Sequence, residues 1–217
     1  IDVLKELADS GCVEFVATPY SQSLASVYSD TEAAEQLQLQ QSMVKQLFNQ
    51  QSTTICNTEL IYSDEIAISL YQQGYKTVMT EGAKHVLSWK SPNYIYSSAS
   101  APKMKMLLRN ANFSDELAFH FSDPEWHNYP MDAEQYIQRL VTLPEEEQVV
   151  NIWVGAETFG IRQHAVSGIF EFLKALPYFA MEQDMTFMTP AEAAKKFAAK
   201  DAVVAPYPIT WAGEAKD

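Results

Sequence analysis

Four acidic side chains sit where a parallel α/β fold would present them for chemistry. They are Glu14 in "CVEFVAT", Glu59 closing "TTICNTE", Asp115 in the turn after "KMKMLLRN", and Glu157 closing "VVNIWVGAE". Such sheets offer a ligand the groups at the carboxyl ends of their strands. A desolvated carboxylate costs on the order of several kcal/mol unless it is paired, so each acid is either an internal hydrogen-bonding group or part of a polar site. Aromatic residues are interleaved with them: Trp89, Tyr94, Tyr96, Trp126, Trp153, Phe159 and Trp211. In a cleft their faces would stack on sugar rings; in a core they would fill space. Other chemistries lack their residues. There is no glycine-rich nucleotide loop and no G-x-S-x-G elbow. His85, His120, His127 and His164 do not fall at metal-ligand spacing, so neither a metal nor another cofactor is expected.

The elements that must position these groups can be read from periodicity and caps. A helix over Asp2–Ala8 stops at Ser10-Gly11, and "CVEFVAT" follows as a strand ended by Pro19. Apolar spacing predicts a helix from Asp30 to Phe48, then the strand "TTICNTE" and a helix capped by Ser63 and closed by Gly74. Strands are expected at "KTVMTEG", "NYIYSS" and "KMKMLLRN", then a helix "FSDELAFHFS" capped by Ser114. The rest reads as a helix at Ala133–Leu143, the strand "VVNIWVGAE", a helix containing "SGIFEFLKAL" and a short helix at Ala191–Phe197. This alternation predicts α/β architecture with a parallel sheet, with strands near 12–18, 53–58, 76–80, 104–108 and 149–155. The Ser-, Pro- and Tyr-rich stretch from Ser88 to Ser100 reads as an excursion over the sheet.

The 217 residues, 47% hydrophobic, can build one large core. A net charge of -13 argues against a phosphate backbone as partner and leaves neutral ligands open. Apolar runs are too short to span a bilayer. Cys12 and Cys56 read as reduced, buried thiols of a cytoplasmic protein. The chain opens on Ile1 inside a helix and ends "WAGEAKD" with no helix cap, which reads as one domain that is a piece of a longer polypeptide.

The segments "GCVEFVATPY", "NTELIYSDEIA", "EGAKHVLSWKSPNYIY", "LLRNANFSDELAFHFS", "WHNYPMDAEQY", "ETFG" with "GIFEFL", and "TPAEAAKKF" together resemble the α-amylase group of glycoside hydrolase family 57. The resemblance implies a parallel (β/α)7-type barrel, incomplete in this chain, and retaining action on α-1,4-glucans or maltooligosaccharides without a metal. It also implies that residues 1–217 lack the family's first strand and C-terminal helical region. Glu59 matches the family's catalytic nucleophile. Glu14 and Glu157 match positions that contact sugar hydroxyls, and Asp115 matches an acid beside the cleft. Trp89 and Trp211 complete the expected substrate-binding set as stacking faces.

One departure stands out. The family's acid/base is the Asp of a D-x-E-x-F-G pattern, and Gly155 stands there. Ile161, Arg162 and Gly213 also replace the family's usual polar residues. Retaining hydrolysis needs two carboxyl groups about 5–5.5 Å apart. The expectation is therefore an impaired glycosidase or, alternatively, a non-catalytic α-glucan-binding protein. Glu157 would stand in poorly if it lay on a strand, because two residues displace a side chain by roughly 6.5 Å.

Overall fold

The computed structural model describes residues 1–213, and the closing "EAKD", where a helix cap was sought, lies outside them. The strands are β1 (Thr54–Cys56), β2 (Thr77–Glu81), β3 (Tyr96–Ser98), β4 (Lys105–Arg109) and β5 (Ala202–Val203). The helices are α1 (Asp2–Asp9), α2 (Ala25–Tyr28), α3 (Asp30–Phe48), α4 (Asp64–Gln72), α5 (Lys84–Leu87), α6 (Ala111–Asp115), α7 (Ala133–Val141), α8 (Ile169–Glu182) and α9 (Pro190–Lys196). Local chemistry sets their ends. Ser29 caps α3 by accepting the Glu32 N–H, and Asn49 ends it in the left-handed region at φ 53°. Ser63 caps α4 by accepting the Ile66 N–H.

The sheet runs β1-β2-β4-β3-β5. β1, β2 and β4 are parallel, with Ile55 opposite Val78 and Val78 opposite Met106. β3 is antiparallel to β4 and parallel to β5. Two further stretches join by single parallel bridges, Ala17 to Ile55 and Asn151 to Arg109. Of the five expected parallel strands, those near 53–58, 76–80 and 104–108 form the ladder, whereas the stretches near 12–18 and 149–155 form no strand and touch it by one bridge each. The "VVNIWVGAE" segment pairs only at Asn151, whose side-chain amide donates to the Leu108 carbonyl at 3.0 Å.

The described chain divides into two compact units. The first holds Ile1–Arg109, Gln148–Asn151 and the stretch from Met188 onward; the second holds Asn110–Glu147 and Ile152–Phe187. The first unit's core lies on the sheet, around Leu37, Ile55, Tyr62, Val78, Tyr96, Met104 and Met106. The second is centred on aromatic edges: Tyr136 packs against both Phe113 and Phe172, and Phe172 against Phe121.

Several expectations are corrected. The Ser88–Ser100 stretch is not an excursion, because it contains β3 and buries Ile95 and Ser98 completely. The helix expected to begin at Ser114 is capped by Asn110, which accepts the Phe113 N–H, and continues as a wider turn over Glu116–His120. Ser114 is buried inside it and accepts the Trp153 N–H at 3.0 Å. Both cysteines are free, but only Cys56 is buried; Cys12 is exposed. Burial pushes the Cys56 thiol up to about 12.

Candidate active site

Glu59 does not sit on β1. The strand ends at Cys56 and the chain makes one tight turn over Thr58–Leu60. Glu59 and Leu60 both adopt left-handed backbone conformations, at φ 56° and 55°. For residues with a Cβ this costs about 1–2 kcal/mol each, so the surroundings must hold it. They do so at several atoms. The Leu60 N–H donates to the Asn57 carbonyl, and the Leu60 carbonyl accepts from buried Thr80 Oγ1 at 2.8 Å. The Asn57 side chain donates to the Ile61 carbonyl, and Thr210 Oγ1 donates to the Glu59 carbonyl at 2.7 Å. The result is an exposed carboxylate on a fixed elbow beyond the carboxyl end of β1.

A second segment lies alongside this elbow. Tyr62 and Ile209 exchange backbone hydrogen bonds, which brings Trp211 to Glu59. The Trp211 indole N–H donates to the Glu59 carboxylate. The Arg109 guanidinium lies over the Trp211 ring, 5.7 Å from its centroid. Arg109 is itself paired with Glu81 at 3.2 Å, and both side chains are almost wholly buried. These two are register partners at the ends of β2 and β4. Sequence reasoning passed over both. The available signal was an opposite charge closing each of two adjacent strands, in "KTVMTEG" and "KMKMLLRN".

Glu14 lies elsewhere in the same unit. Its carboxylate accepts from Ser52 Oγ at 2.5 Å and from the Ala191 N–H, in the first turn of α9, at 2.8 Å. Since Ala17 is level with Ile55, Glu14 and Ser52 mark the amino end of β1, whereas Glu59 follows its carboxyl end. Both oxygens of Glu14 are engaged in joining that strand end to a helix. Trp89 is 87% exposed and makes no hydrogen bond or ring contact among the described residues.

Asp115 and Glu157 belong to the second unit. Asp115 closes α6. Its neighbour Glu116 binds Arg139 through both carboxylate oxygens, an ion pair that raises the guanidinium's proton affinity further. Gly155 is not on a strand: it precedes a tight turn over Ala156–Thr158 at an ordinary φ of -66°. That turn folds the Glu157 side chain back. A Cβ added at Gly155 would lie 2.3 Å from each Glu157 carboxylate oxygen. Arg162 holds the same carboxylate at 3.2 Å while lying over the Phe119 ring. The place where a side chain at 155 would begin is occupied by the carboxylate of residue 157. No group of three or more potential metal ligands occurs among the described residues.

A parallel-dominated α/β sheet with a carboxylate turn after a strand is the design of a (β/α)7 barrel enzyme fold. The chain belongs to glycosyl hydrolase family 57, whose model matches residues 1–206. It is 40% identical over 178 residues to a protein of Methanocaldococcus jannaschii named "Putative alpha-amylase", covering 82% of this chain and 37% of that one. Among solved structures it resembles the 4-alpha-glucanotransferase of Thermococcus litoralis, with a TM-score of 0.74 and 15% identity over 94% of this chain and 32% of that one. It also resembles an alpha-amylase of Thermotoga maritima, with a TM-score of 0.70 and 15% identity over 96% and 53%. These structural likenesses establish the fold. The chain spans about a third to a half of the length of the proteins it matches.

Proposed function

We propose that this chain carries the nucleophile of an α-amylase-like, retaining glycosidase site for α-1,4-glucans. It works poorly on natural substrates because position 155 is glycine. The Glu59 elbow is the observation that carries this reading, since strained backbone at a strand end is kept where a side chain must be aimed. In the first step a Glu59 oxygen attacks the anomeric carbon. The glycosidic bond breaks with its electron pair on the departing oxygen, which needs a proton when the leaving group is a sugar. Water then attacks the glycosyl ester, a base takes the water's proton, and the electron pair returns to Glu59. Losing the acid/base costs about 10²–10⁴-fold.

A second reading has its own support. With Glu157 turned onto Gly155 and paired with Arg162, the turn holds a carboxylate already bound to a cation. That favours a non-catalytic protein binding maltooligosaccharides.

The substrate α-maltotriosyl fluoride separates the two, because fluoride departs without a proton. On the full-length protein the glycosidase reading expects one equivalent of fluoride and a trimeric sugar on the Glu59 peptide by mass spectrometry. Gly155→Asp then gives sustained turnover and Glu59→Gln gives no burst. Binding of maltotriose by calorimetry with no burst and no adduct favours the binder. Neither binding nor adduct overturns both.

A further inference from the structure

We propose that Trp211 is the positioning residue of Glu59, acting through its indole N–H and not as a sugar-stacking face. The inference rests on the nucleophile reading above and deepens it. The segment Ile209–Trp211 meets the elbow at three successive residues. Ile209 pairs with Tyr62 through N–H to carbonyl bonds of 3.0 and 2.8 Å. Thr210 Oγ1 donates to the Glu59 carbonyl at 2.7 Å, and the Trp211 N–H donates to the Glu59 carboxylate. Main chain and side chain of one residue are therefore gripped by neighbouring residues of one other segment.

The ring is committed as well. Arg109 lies on one face, anchored by buried Glu81. The guanidinium over the ring favours the planar orientation that points the N–H at Glu59. Glu59 is exposed, and a glutamate in that setting loses rotamer freedom only when something holds its head. A carboxylate that must approach an anomeric carbon in line gains rate from being held. Trp211 supplies that hold, while Thr210 fixes the backbone beneath it.

The test compares Trp211→Phe with Trp211→Ala in the full-length protein, using the fluoride burst from α-maltotriosyl fluoride as a function of substrate concentration. Phenylalanine keeps a ring for Arg109 but has no N–H. The expected result for Trp211→Phe is a burst rate constant reduced about 10–100-fold at an unchanged half-saturating concentration. Trp211→Ala, which also takes the ring from Arg109, loses at least as much rate, again at an unchanged half-saturating concentration. A Trp211→Phe variant that bursts like the parent, with only Trp211→Ala impaired, assigns the ring to stacking and overturns the proposal. Thr210→Val, which leaves the indole in place, checks the backbone hold and loses less rate.

A readout independent of turnover keeps the two readings apart. The Trp211 indole N–H resonance, assigned by its disappearance in Trp211→Phe, is expected downfield of the other indoles and to move upfield in Glu59→Gln. A resonance that ignores Glu59→Gln overturns the positioning role even if the parent shows no burst. Absence of a burst with the resonance shift intact overturns the nucleophile reading alone.

Discussion

Glu59 joins a charged side chain to a backbone conformation that favours glycine, and the two can be tested separately. Glu59→Gly and Glu59→Ala both delete the carboxylate, yet only alanine keeps a Cβ at φ 56°. Glycine is expected to be the more stable by about 1 kcal/mol, the reverse of the usual order within regular structure. Urea denaturation of the pair measures it, and equal stability would remove the strain from the account. The second residue of interest is Gly155. Its φ of -66° suits any side chain, so only the Glu157 carboxylate stands in the way of a new one. That obstacle is the end of a flexible chain with about half its surface exposed. Gly155→Ala is therefore expected to change stability by less than about 1 kcal/mol while swinging Glu157 aside. A loss of several kcal/mol on thermal melting would mean that Glu157 is locked in place. Glu59 was legible as an acid near a strand end and, through the family resemblance, as the expected nucleophile. Its turn was not, because nothing local to "NTELIY" encodes a left-handed pair held by Thr80 and Thr210.

At the scale of elements, the buried pair between Glu81 and Arg109 ties β2 to β4 beneath the Trp211 ring. Removing one partner strands a charge in the interior, so Arg109→Leu is expected to destabilise by about 3–5 kcal/mol. Replacing both with apolar residues should recover much of that, as chemical denaturation of the single and double variants can check. Tyr62, just after the elbow, gives a pH signature. Burial raises its phenol to about 12, against the opposing effect of its hydrogen bond to Ser98 at 2.9 Å. The folded state then holds a proton that the unfolded state gives up near pH 10. The stabilisation is complete below pH 10 and is lost as pH climbs from 10 to 12, by up to about 2–3 kcal/mol. Tyr62→Phe should cost about 1 kcal/mol at pH 7 and flatten that alkaline fall. An alkaline profile identical to the parent's would assign the fall to other groups. Helices α3 and α4 were legible from spacing and caps because Ser29 and Ser63 act within their own first turns. The last parallel strand was overestimated: "VVNIWVGAE" is apolar enough for a full ladder, yet it pairs only at Asn151 before the chain leaves the first unit. β5 escaped notice because two residues carry no period.

At the scale of the molecule, a net charge of -13 and a neutral sugar as the proposed ligand make one expectation. Maltotriose affinity measured by calorimetry should change by less than about twofold between low and high salt, since little charge is neutralised on binding. A steep salt dependence would point to a charged ligand. No helix among the described residues is long and apolar enough to cross a membrane. The family was legible because its motifs are spread along nearly the whole chain, and its model matches residues 1–206. The placement of Glu14 was not, because the residue type alone does not say which end of a strand it marks. The clasp on Glu59 also has a meaning in time. Its donors come from residues 151 and 152 positions later in the chain. A ribosome adding roughly 5–20 residues per second makes Trp211 on the order of ten to thirty seconds after Glu59. Throughout that interval a nascent chain displays the Glu59 carboxylate without its keeper, so the clasp cannot form until residue 211 has been made.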